Sequence, residues 1–502
     1  MINKLKNAKL TLEKETKQQG YLCLIVTVVI LIIVFWCSKN LNFGKAEIIT
    51  CVTVIFVLLV CLYVYIFFEI RFYRWCFCFL ILTGGLSLLL QPIFNIPDEV
   101  AHFARAEIVS EGRLIMDPDE NTFDTIQAVE DLKDYFGTSF VHTDLQGKKV
   151  DYTPVKVGHA AAINMSFLYF PQAVGILIAK ILNLDIIWLL WLGRFMNLCC
   201  YCILVSIAIK IAPHWKFVLF FIAALPMSIQ QAASVSPDAM INGLSILIIG
   251  YFLYLYYRES QEISKREIVI FAIIGILITL AKVTNIFIVG LVLLLPMKNM
   301  DKKNSVVVKL LVIVFIAVIG GLYYFYTTTF APNSEQVSYL IESNVNSKEQ
   351  IQYILTEPIK WSHDFVSNIV DQFGYFIGLL NQFGWLEYGY PLLTIVSVFG
   401  FAKVCFQEQG VKISVLNKFL ILLMVMGIYV SSCLALYITW TPVGGDFISG
   451  MQGRYLIPMI ALCSLLFSSS RVKKKKESYI IDMTMVICMI GAMLVTTAVR
   501  YF

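Results

Sequence analysis

The chain has 502 residues, of which 59% are hydrophobic and 15% charged, and it carries a formal net charge of +5. Soluble domains carry about 25% charged residues, and several uninterrupted apolar runs here reach the roughly 18 residues needed to cross a bilayer. The composition excludes an ordinary soluble protein and predicts an all-α polytopic membrane protein.

Apolar runs along the chain predict about thirteen transmembrane helices. The first run follows five lysines, as in a signal peptide, but it is long and no small-residue cleavage site follows it. We expect it to be retained. Segment 166–184 is also apolar but contains Pro171 and Lys180, and we place it on the membrane surface as an interfacial helix. The predicted spans are about 21–37, 47–69, 73–90, 186–211, 216–233, 240–257, 268–283, 285–297, 306–327, 391–407, 416–439, 455–470 and 479–497.

These elements divide the chain into five regions, in which helices alternate with two large loops. The regions are an N-terminal set of three helices (1–90), a first outer loop with the interfacial helix (91–185), core helices (186–327), a second large loop that we predict to be helical (328–390), and C-terminal helices (391–502).

Lysine and arginine predict the orientation, because positive residues concentrate in short cytoplasmic segments. With a cytoplasmic N-terminus, 24 of the 39 Lys and Arg residues fall into seven short cytoplasmic segments. If 166–184 crossed the membrane, the basic run Arg471–Lys476 would face outside. We therefore expect a plasma-membrane protein whose loops 91–165 and 328–390 are extracytoplasmic. Neither loop contains cysteine, which favours a bacterial source slightly.

The densest polar cluster follows the third helix, at 96–105. Pro97 suits the first position of a helix and Asp98 and Glu99 suit its first turn. In such a helix Asp98, His102 and Arg105 share one face, at i, i+4 and i+7. This set can remove a proton from a hydroxyl group, hold a metal or bind a phosphate. A capped helix start with solvated charges explains the spacing equally well.

A second cluster, Ser234-Val235-Ser236-Pro237-Asp238, lies in a short predicted turn between two helices. By itself the pattern favours an Asp cap on the following helix. The predicted topology, however, puts Asp238 on the same side of the membrane as Asp98.

Three cations lie at or near the ends of apolar segments, where charge is costly and each is a functional candidate. Lys282 is at the predicted outer end of its helix and can also snorkel to the interface. Arg194 lies deeper, and its expected partner is an acid or a lipid phosphate. Arg454 opens the twelfth predicted helix in Gln452-Gly453-Arg454-Tyr455. Three cations beside two acids suit a phosphate-bearing lipid.

Several of these motifs resemble the GT-C superfamily of glycosyltransferases. Asp98-Glu99 with His102-Phe103 resembles the first external loop of protein O-mannosyltransferases. The stretch 169–197 resembles their interfacial helix and second core helix, Asp238 matches the acid of their second external loop, and Lys282 resembles a lysine that contacts the lipid carrier.

More closely, the chain resembles the bacterial domain-of-unknown-function 2142 family of predicted membrane proteins, which is assigned to the GT-C superfamily. The motifs that carry the resemblance are Pro97-Asp98-Glu99 with His102, Ala233–Ala239, Gly384-Trp385-Leu386, Trp440-Thr441-Pro442, and Gln452–Tyr455 with Pro458.

The resemblance implies a GT-C-like helix bundle that transfers a sugar from a polyprenyl-phosphate carrier to a glycan, lipid-linked glycan, wall polymer or protein outside the membrane. Asp98 would be the base, and Glu99 and His102 would orient the base or the acceptor. Asp238 would bind the acceptor or pair with a cation. Lys282 and Arg454, and also Arg194, would bind the lipid phosphate, supported by Arg105, Gln452 and Tyr455. A Mg²⁺ or Mn²⁺ ion between Asp98 and Asp238 is left open. No nucleic-acid partner is expected.

Two other classes of membrane protein compete with this interpretation, besides a non-catalytic scaffold. A lipid-linked glycan transporter or flippase needs a polar path through the bilayer, and the apolar helix centres argue against one. A polysaccharide polymerase or ligase outside the GT-C plan would use arginines in large outer loops, whereas loop 91–165 carries thirteen Asp and Glu residues.

Overall fold

Long apolar helices dominate the protein. The computed structural model describes residues 2–38, 44–115, 123–158, 161, 164–260, 262–330, 344–408, 412–468 and 476–502. Within these ranges, eight helices are long and apolar enough to cross a membrane, which confirms a polytopic helical membrane protein. The eight segments are Lys17–Cys37, Lys45–Phe67, Phe72–Leu90, Ile187–Ile211, Asp238–Tyr256, Lys302–Tyr326, Val415–Thr439 and Ser478–Tyr501. The first of these helices begins at Ile2, the sixth extends to Phe330 and the last begins at Lys476.

The other five predicted spans are shorter or broken, so the predicted number of about thirteen is not confirmed. Lys265–Ala281 and Pro391–Gln407 have 17 residues each. Val283–Leu294 is a 3-10 helix of 12 residues. The segment predicted at 455–470 comprises a 3-10 turn, a short α-helix and a second 3-10 turn, at Gly453–Leu456, Ile457–Cys463 and Ser464–Phe467.

The prediction of one span at 216–233 is wrong. This segment forms two short helices, Lys216–Ala223 and Pro226–Ala232. Leu225 between them is extended (ψ 139°), as expected for a residue that precedes proline. Phe220 and Ile229 are fully buried inside the protein. The apolar run is therefore protein core, and its hydrophobicity does not reflect contact with lipid.

The loop after the third long helix has a small structure of its own. It contains helix Glu99–Ser110 and an antiparallel strand pair, Phe123–Ile126 with Pro154–Val157. The short helices Gln127–Lys133, Phe140–His142 and Ser166–Tyr169 complete it. The interfacial helix follows as Phe170–Ile181, with 12 residues. Its length of about 18 Å is well below the hydrocarbon thickness of about 30 Å, in agreement with a helix that does not span.

The second large loop is described from residue 344 onward, and this part is helical, as predicted. It contains Ser347–Thr356, Pro358–Asp371, Phe373–Gly378 and a 3-10 turn at Leu379–Asn381. A tight hairpin follows, in which Gln382–Phe383 pairs with Tyr388–Gly389. We call residues 382–389 the hairpin.

The helix Asp238–Tyr256 lies at the centre of the bundle. Its apolar stretch is 78% buried, whereas the apolar stretch of Lys302–Tyr326 is 17% buried. It packs against Ile187–Ile211 and Lys265–Ala281. The motif at 234–238 is therefore held at one end of one of the two most enclosed long helices among the described residues.

The interfacial helix is fastened to the loop helix Glu99–Ser110 by a buried ion pair. Lys180 Nζ lies 2.6 Å from Glu107 Oε1, and the two side chains are 12% and 0% exposed. Thr125 Oγ1 donates a hydrogen bond to Glu107 Oε2. Burial raises the pKa of Glu107 above its ordinary value, and the Lys180 charge counteracts this shift. Sequence reasoning noted Lys180 but did not predict its partner.

Replacing Lys180 with methionine is expected to lower the free energy of unfolding by about 3 kcal/mol at neutral pH, because it leaves the Glu107 carboxylate buried without its partner. An acid with a raised folded-state pKa destabilises the protein as pH rises above its unfolded value of 4.5. The loss should therefore be larger at pH 8 than at pH 5, as measured by thermal unfolding in detergent. Lys133→Met, which breaks the exposed pair with Glu130, is the control and should change stability by less than about 1 kcal/mol. Equal losses at both pH values would contradict this account.

Candidate functional site

The loop that carries the first motif bends sharply before its helix begins. Asp98 has φ 66°, in the left-handed region that aspartate tolerates better than most residues. The helix therefore starts at Glu99, and the prediction that Pro97 occupies its first position is wrong. His102 and Arg105 share a helix face, but Asp98 precedes the helix and its side chain is directed elsewhere.

Arg454 joins the two predicted acids. Its Nη2 lies 2.7 Å from Asp98 Oδ2 and its Nε lies 3.2 Å from Asp238 Oδ2. Arg454 also donates a hydrogen bond from Nη1 to the carbonyl oxygen of Pro97, at 3.0 Å. The guanidinium is almost completely buried, Asp238 is 10% exposed and Asp98 is 36% exposed. Asp98 is therefore the acid of this group that solvent or a substrate can reach.

Lys282 completes the cluster through an aromatic ring. Its ammonium nitrogen lies 3.3 Å from the ring centroid of Tyr455, and the guanidinium of Arg454 lies 5.3 Å from the same centroid. The negative charge of Asp238 also acts on the ammonium group of Lys282, and the positive charge of Arg454 opposes it. The predicted residues Asp98, Asp238, Arg454, Lys282 and Tyr455 thus meet in one place, which we call the acid–cation cluster.

Glu99 and Arg194 form a second, fully enclosed pair. Both side chains are 0% exposed, and Arg194 Nη2 lies 2.7 Å from Glu99 Oε2. Arg194 Nε donates to Glu99 Oε1 at 2.8 Å, and its remaining donors reach the carbonyl oxygens of Leu88, Gln91 and Pro92. Of the two partners that the sequence left open for Arg194, the structure provides the acid.

This pair also positions the second motif. The backbone N–H of Val235 donates to Glu99 Oε1 at 3.1 Å. Asn197 Nδ2 donates to the carbonyl oxygens of Ser234 and Ser236, at 2.8 Å each. The 234–238 turn is thereby tied to both the Asp98 loop and the helix Ile187–Ile211.

Neither acid behaves as an ordinary helix cap. Asp98 is the N-cap residue of its helix but its side chain makes no capping hydrogen bond. Asp238 is the first residue of its helix, and its Oδ2 accepts a hydrogen bond from Ser236 Oγ at 3.1 Å. Both carboxylates instead pair with Arg454, so neither acid acts as the helix cap that the sequence also allowed.

His102 and Arg105 contact the 3-10 turn Ser166–Tyr169. His102 Nδ1 lies 2.9 Å from the Tyr169 hydroxyl, which accepts a hydrogen bond from Asn164 Nδ2. Arg105 Nη2 donates to Ser166 Oγ and to the carbonyl oxygen of Leu114. Burial lowers the pKa of Arg105, although an arginine remains charged. Both side chains thus contact the part of the loop that leads into the interfacial helix.

A narrow crevice adjoins the acid–cation cluster, and the sequence motifs contain six of its ten lining residues but not Met227, Gln230, Gln231 and Gln382. It is bounded by Pro97 and Arg454 on one side, and its walls include Gln452, which the sequence predicted, and the hairpin residues Gln382, Gly384 and Leu386. Gln230 and Gln231 also line it. The signal available in the sequence was a Gln-Gln pair inside an apolar run just before the 234–238 motif.

The arrangement fits a divalent metal ion poorly. Two carboxylates converge, but the guanidinium of Arg454 lies between them and neutralises their charge. Among the described residues, no group of three or more His, Cys, Asp or Glu side chains has the arrangement of a metal site. The residues present hold an organic cation where a bridging metal would have to lie, so we derive no step through Mg²⁺ or Mn²⁺.

Fold and site together define a multi-pass helical membrane protein with a cluster of acids and cations at one end of its bundle. The family model described as predicted membrane protein (DUF2142) matches residues 80–463. The chain belongs to this family, as the sequence motifs predicted, and the match contains every predicted site residue. No curated protein and no solved structure matches the chain.

Proposed function

We propose that the protein is a membrane glycosyltransferase, which moves a sugar from a polyprenyl-phosphate donor to an extracytoplasmic glycan, lipid-linked glycan or protein. The observation that carries the proposal is the acid–cation cluster. One partly exposed carboxylate, Asp98, stands beside two cations at the end of an apolar helix bundle. A lipid phosphate can approach such a cluster from the membrane while a polar acceptor approaches from water.

In this reaction the acceptor hydroxyl oxygen bonds to the anomeric carbon of the sugar as the bond from that carbon to the phosphate oxygen breaks. The electron pair leaves with polyprenyl phosphate, and the hydroxyl proton passes to Asp98. A general base helps because a neutral hydroxyl is a weak nucleophile. Asp98 suits this role since its carboxylate is accessible and its orientation is fixed by Arg454.

The departing phosphate gains negative charge, which preorganised cations stabilise in a site with little water. Lys282 suits this task because its ammonium group lies over the Tyr455 ring, in the same cluster as Asp98, Asp238 and Arg454. Arg454 holds Asp98 and Asp238 and adds positive charge to the same region. Asp238 is more enclosed, so its proposed role is to orient Arg454 rather than to bind the acceptor.

Glu99 and Arg194 support the site without touching a substrate, since both side chains are fully buried and paired with each other. We assign Arg194 this structural role in place of contact with the lipid phosphate. His102 and Arg105 position the loop through Tyr169 and Ser166. Tyr455 holds the ammonium group of Lys282 over its ring.

Substituting methionine for Lys282 is expected to weaken binding of polyprenyl phosphate about ten- to a hundredfold, the usual effect of losing one hydrogen bond to a charged group. Binding and release of polyprenyl phosphate from a radiolabelled glycosyl lipid would be measured with purified protein in nanodiscs. Lys149→Met, which removes an exposed lysine paired with Asp185, is the matched control and should bind as the wild type does.

Turnover by the wild type that releases polyprenyl phosphate and glycosylates an added acceptor would support the proposal. Movement of the intact glycosyl lipid between leaflets without any release would instead identify a transporter. Unchanged lipid binding in Lys282→Met would remove this lysine from the proposed donor site.

A further inference from the structure

The crevice beside the acid–cation cluster has an unusual polar lining. Four glutamine side chains face it, namely Gln230, Gln231, Gln382 and Gln452. Its only charged lining residue among those described is Arg454, which is paired with two carboxylates, Asp98 and Asp238. The crevice is thus rich in carboxamides, and through Arg454 it adjoins Asp98, the proposed general base.

Three of these carboxamides lack partners for their oxygen atoms. The oxygens Oε1 of Gln230, Gln231 and Gln452 are buried and accept no hydrogen bond from any described residue. Gln230 and Gln231 are 3% and 1% exposed. Buried polar atoms in folded proteins are nearly always paired, so three unpaired acceptors around one crevice require an explanation. The empty space between the residues that line the crevice is about 190 Å³.

The hairpin forms one wall of the crevice and is held from outside by the C-terminal helix. The Tyr501 hydroxyl donates a hydrogen bond to Glu387 Oε2 at 3.3 Å, and Arg500 pairs with the same carboxylate at 3.1 Å. Gly384 in this wall has φ 62°, a conformation that favours glycine. The opposite wall, Pro226–Ala232, is part of the buried core. Movement of the hairpin relative to that core would widen the crevice.

We propose that the crevice binds the hydroxyl groups of the sugar that is transferred, so that the glutamines select the donor; this rests on the proposed function. Carboxamide oxygens accept hydrogen bonds from hydroxyl groups, and carboxamide N–H groups can donate to them in return. An anion would face unpaired acceptors, and an ammonium group would meet Arg454. A neutral polyol ring is the chemistry that satisfies this lining while its phosphate lies near Lys282.

The test uses purified full-length protein in nanodiscs and four probes: C55 polyprenyl phosphate and its mannosyl, glucosyl and galactosyl esters. The wild type is expected to bind at least one glycosyl lipid about tenfold more tightly than the bare lipid phosphate. Gln231→Met and Gln452→Met should each lower that preference about fivefold, roughly the effect of one neutral hydrogen bond. Their affinity for the bare lipid should stay within twofold, and their thermal stability without ligand should not fall.

Gln172→Met is the matched control, because Gln172 is also buried with an unpaired carboxamide oxygen but does not line the crevice. It should leave the sugar preference unchanged. If Gln231→Met does not fold, Gln231→Asn, which shortens the side chain by one methylene group, gives the same comparison.

The outcomes separate the two proposals. Sugar preference that persists in both glutamine variants, or equal weakening of bare and glycosyl lipids, would overturn the crevice assignment and leave the glycosyltransferase proposal standing. Wild-type protein that binds bare polyprenyl phosphate but prefers no glycosyl ester would do the same. Failure of the wild type to bind any of the four lipids would overturn the proposed function and this assignment with it.

Discussion

The variant Asp98→Asn is expected to lose sugar transfer by a factor of about 10²–10⁴, the range that a positioned general base contributes. Asparagine keeps the shape of the side chain and its carbonyl oxygen can still accept the hydrogen bond from Arg454 Nη2. It cannot take the proton of the acceptor hydroxyl. Binding of the lipid donor should therefore change little, and the loss should appear in kcat.

The measurement is incorporation of labelled sugar into cell-surface polymer at equal membrane expression, together with transfer by the purified protein. Asp124→Asn is the control, since Asp124 is an exposed acid of the same loop whose carboxylate forms only a loose ion pair with Lys156, at 4.0 Å. It should retain full activity. Retention of full transfer by Asp98→Asn would remove Asp98 from the mechanism and favour a transporter or a scaffold.

Apolar run length predicted the lipid-facing helices well and the enclosed ones poorly. Helices such as Lys302–Tyr326 are exposed over most of their surface, as expected for contact with lipid, and hydropathy responds to that exposure. The segment 216–232 is also apolar, but because it packs inside the protein. A buried segment can form two short helices there and does not need the length of a membrane span. Hydropathy does not distinguish these environments, so the proline break before Pro226 was the more informative signal.

The members of the acid–cation cluster could be predicted because their predicted positions share one side of the membrane. Which acid pairs with which arginine could not be predicted. Asp98 and Glu99 are neighbours in sequence, yet one contacts Arg454 and the other the buried Arg194. The two acids reach different arginines because the backbone at Asp98 is left-handed. The sequence motif predicted a regular helix through Asp98 and gave no sign of this conformation.

The crevice lined by glutamines could not be predicted from the sequence, for a different reason. Gln230 and Gln231 occur in an apolar run, where a neutral polar side chain usually finds an ordinary core partner. Only the packing of the hairpin and the 226–232 helix shows that their oxygens have none among the described residues. Unpaired acceptors are a property of tertiary structure, and no spacing along the chain reveals them.

Arg194→Met is expected to destabilise the protein by about 3–5 kcal/mol, the usual effect of removing one partner from a buried ion pair. The substitution leaves Glu99 as an uncompensated carboxylate with no exposed surface. It also removes the hydrogen-bond donors of the carbonyl oxygens of Gln91 and Pro92, at 3.1 and 2.8 Å. The Asp98 loop and the 234–238 turn should both loosen, since Glu99 connects them.

Thermal unfolding in detergent and the amount of protein in the membrane would measure this loss. The double variant Glu99→Leu, Arg194→Met removes both charges and should recover part of the stability, but not all, because the backbone groups stay unpaired. Arg113→Met breaks an exposed pair with Glu111 and should alter stability by less than about 1 kcal/mol. If Arg194→Met is instead as stable as the wild type but binds polyprenyl phosphate weakly, Arg194 contacts the lipid. The distinction between a structural pair and a donor-binding cation therefore depends on which of the two properties changes.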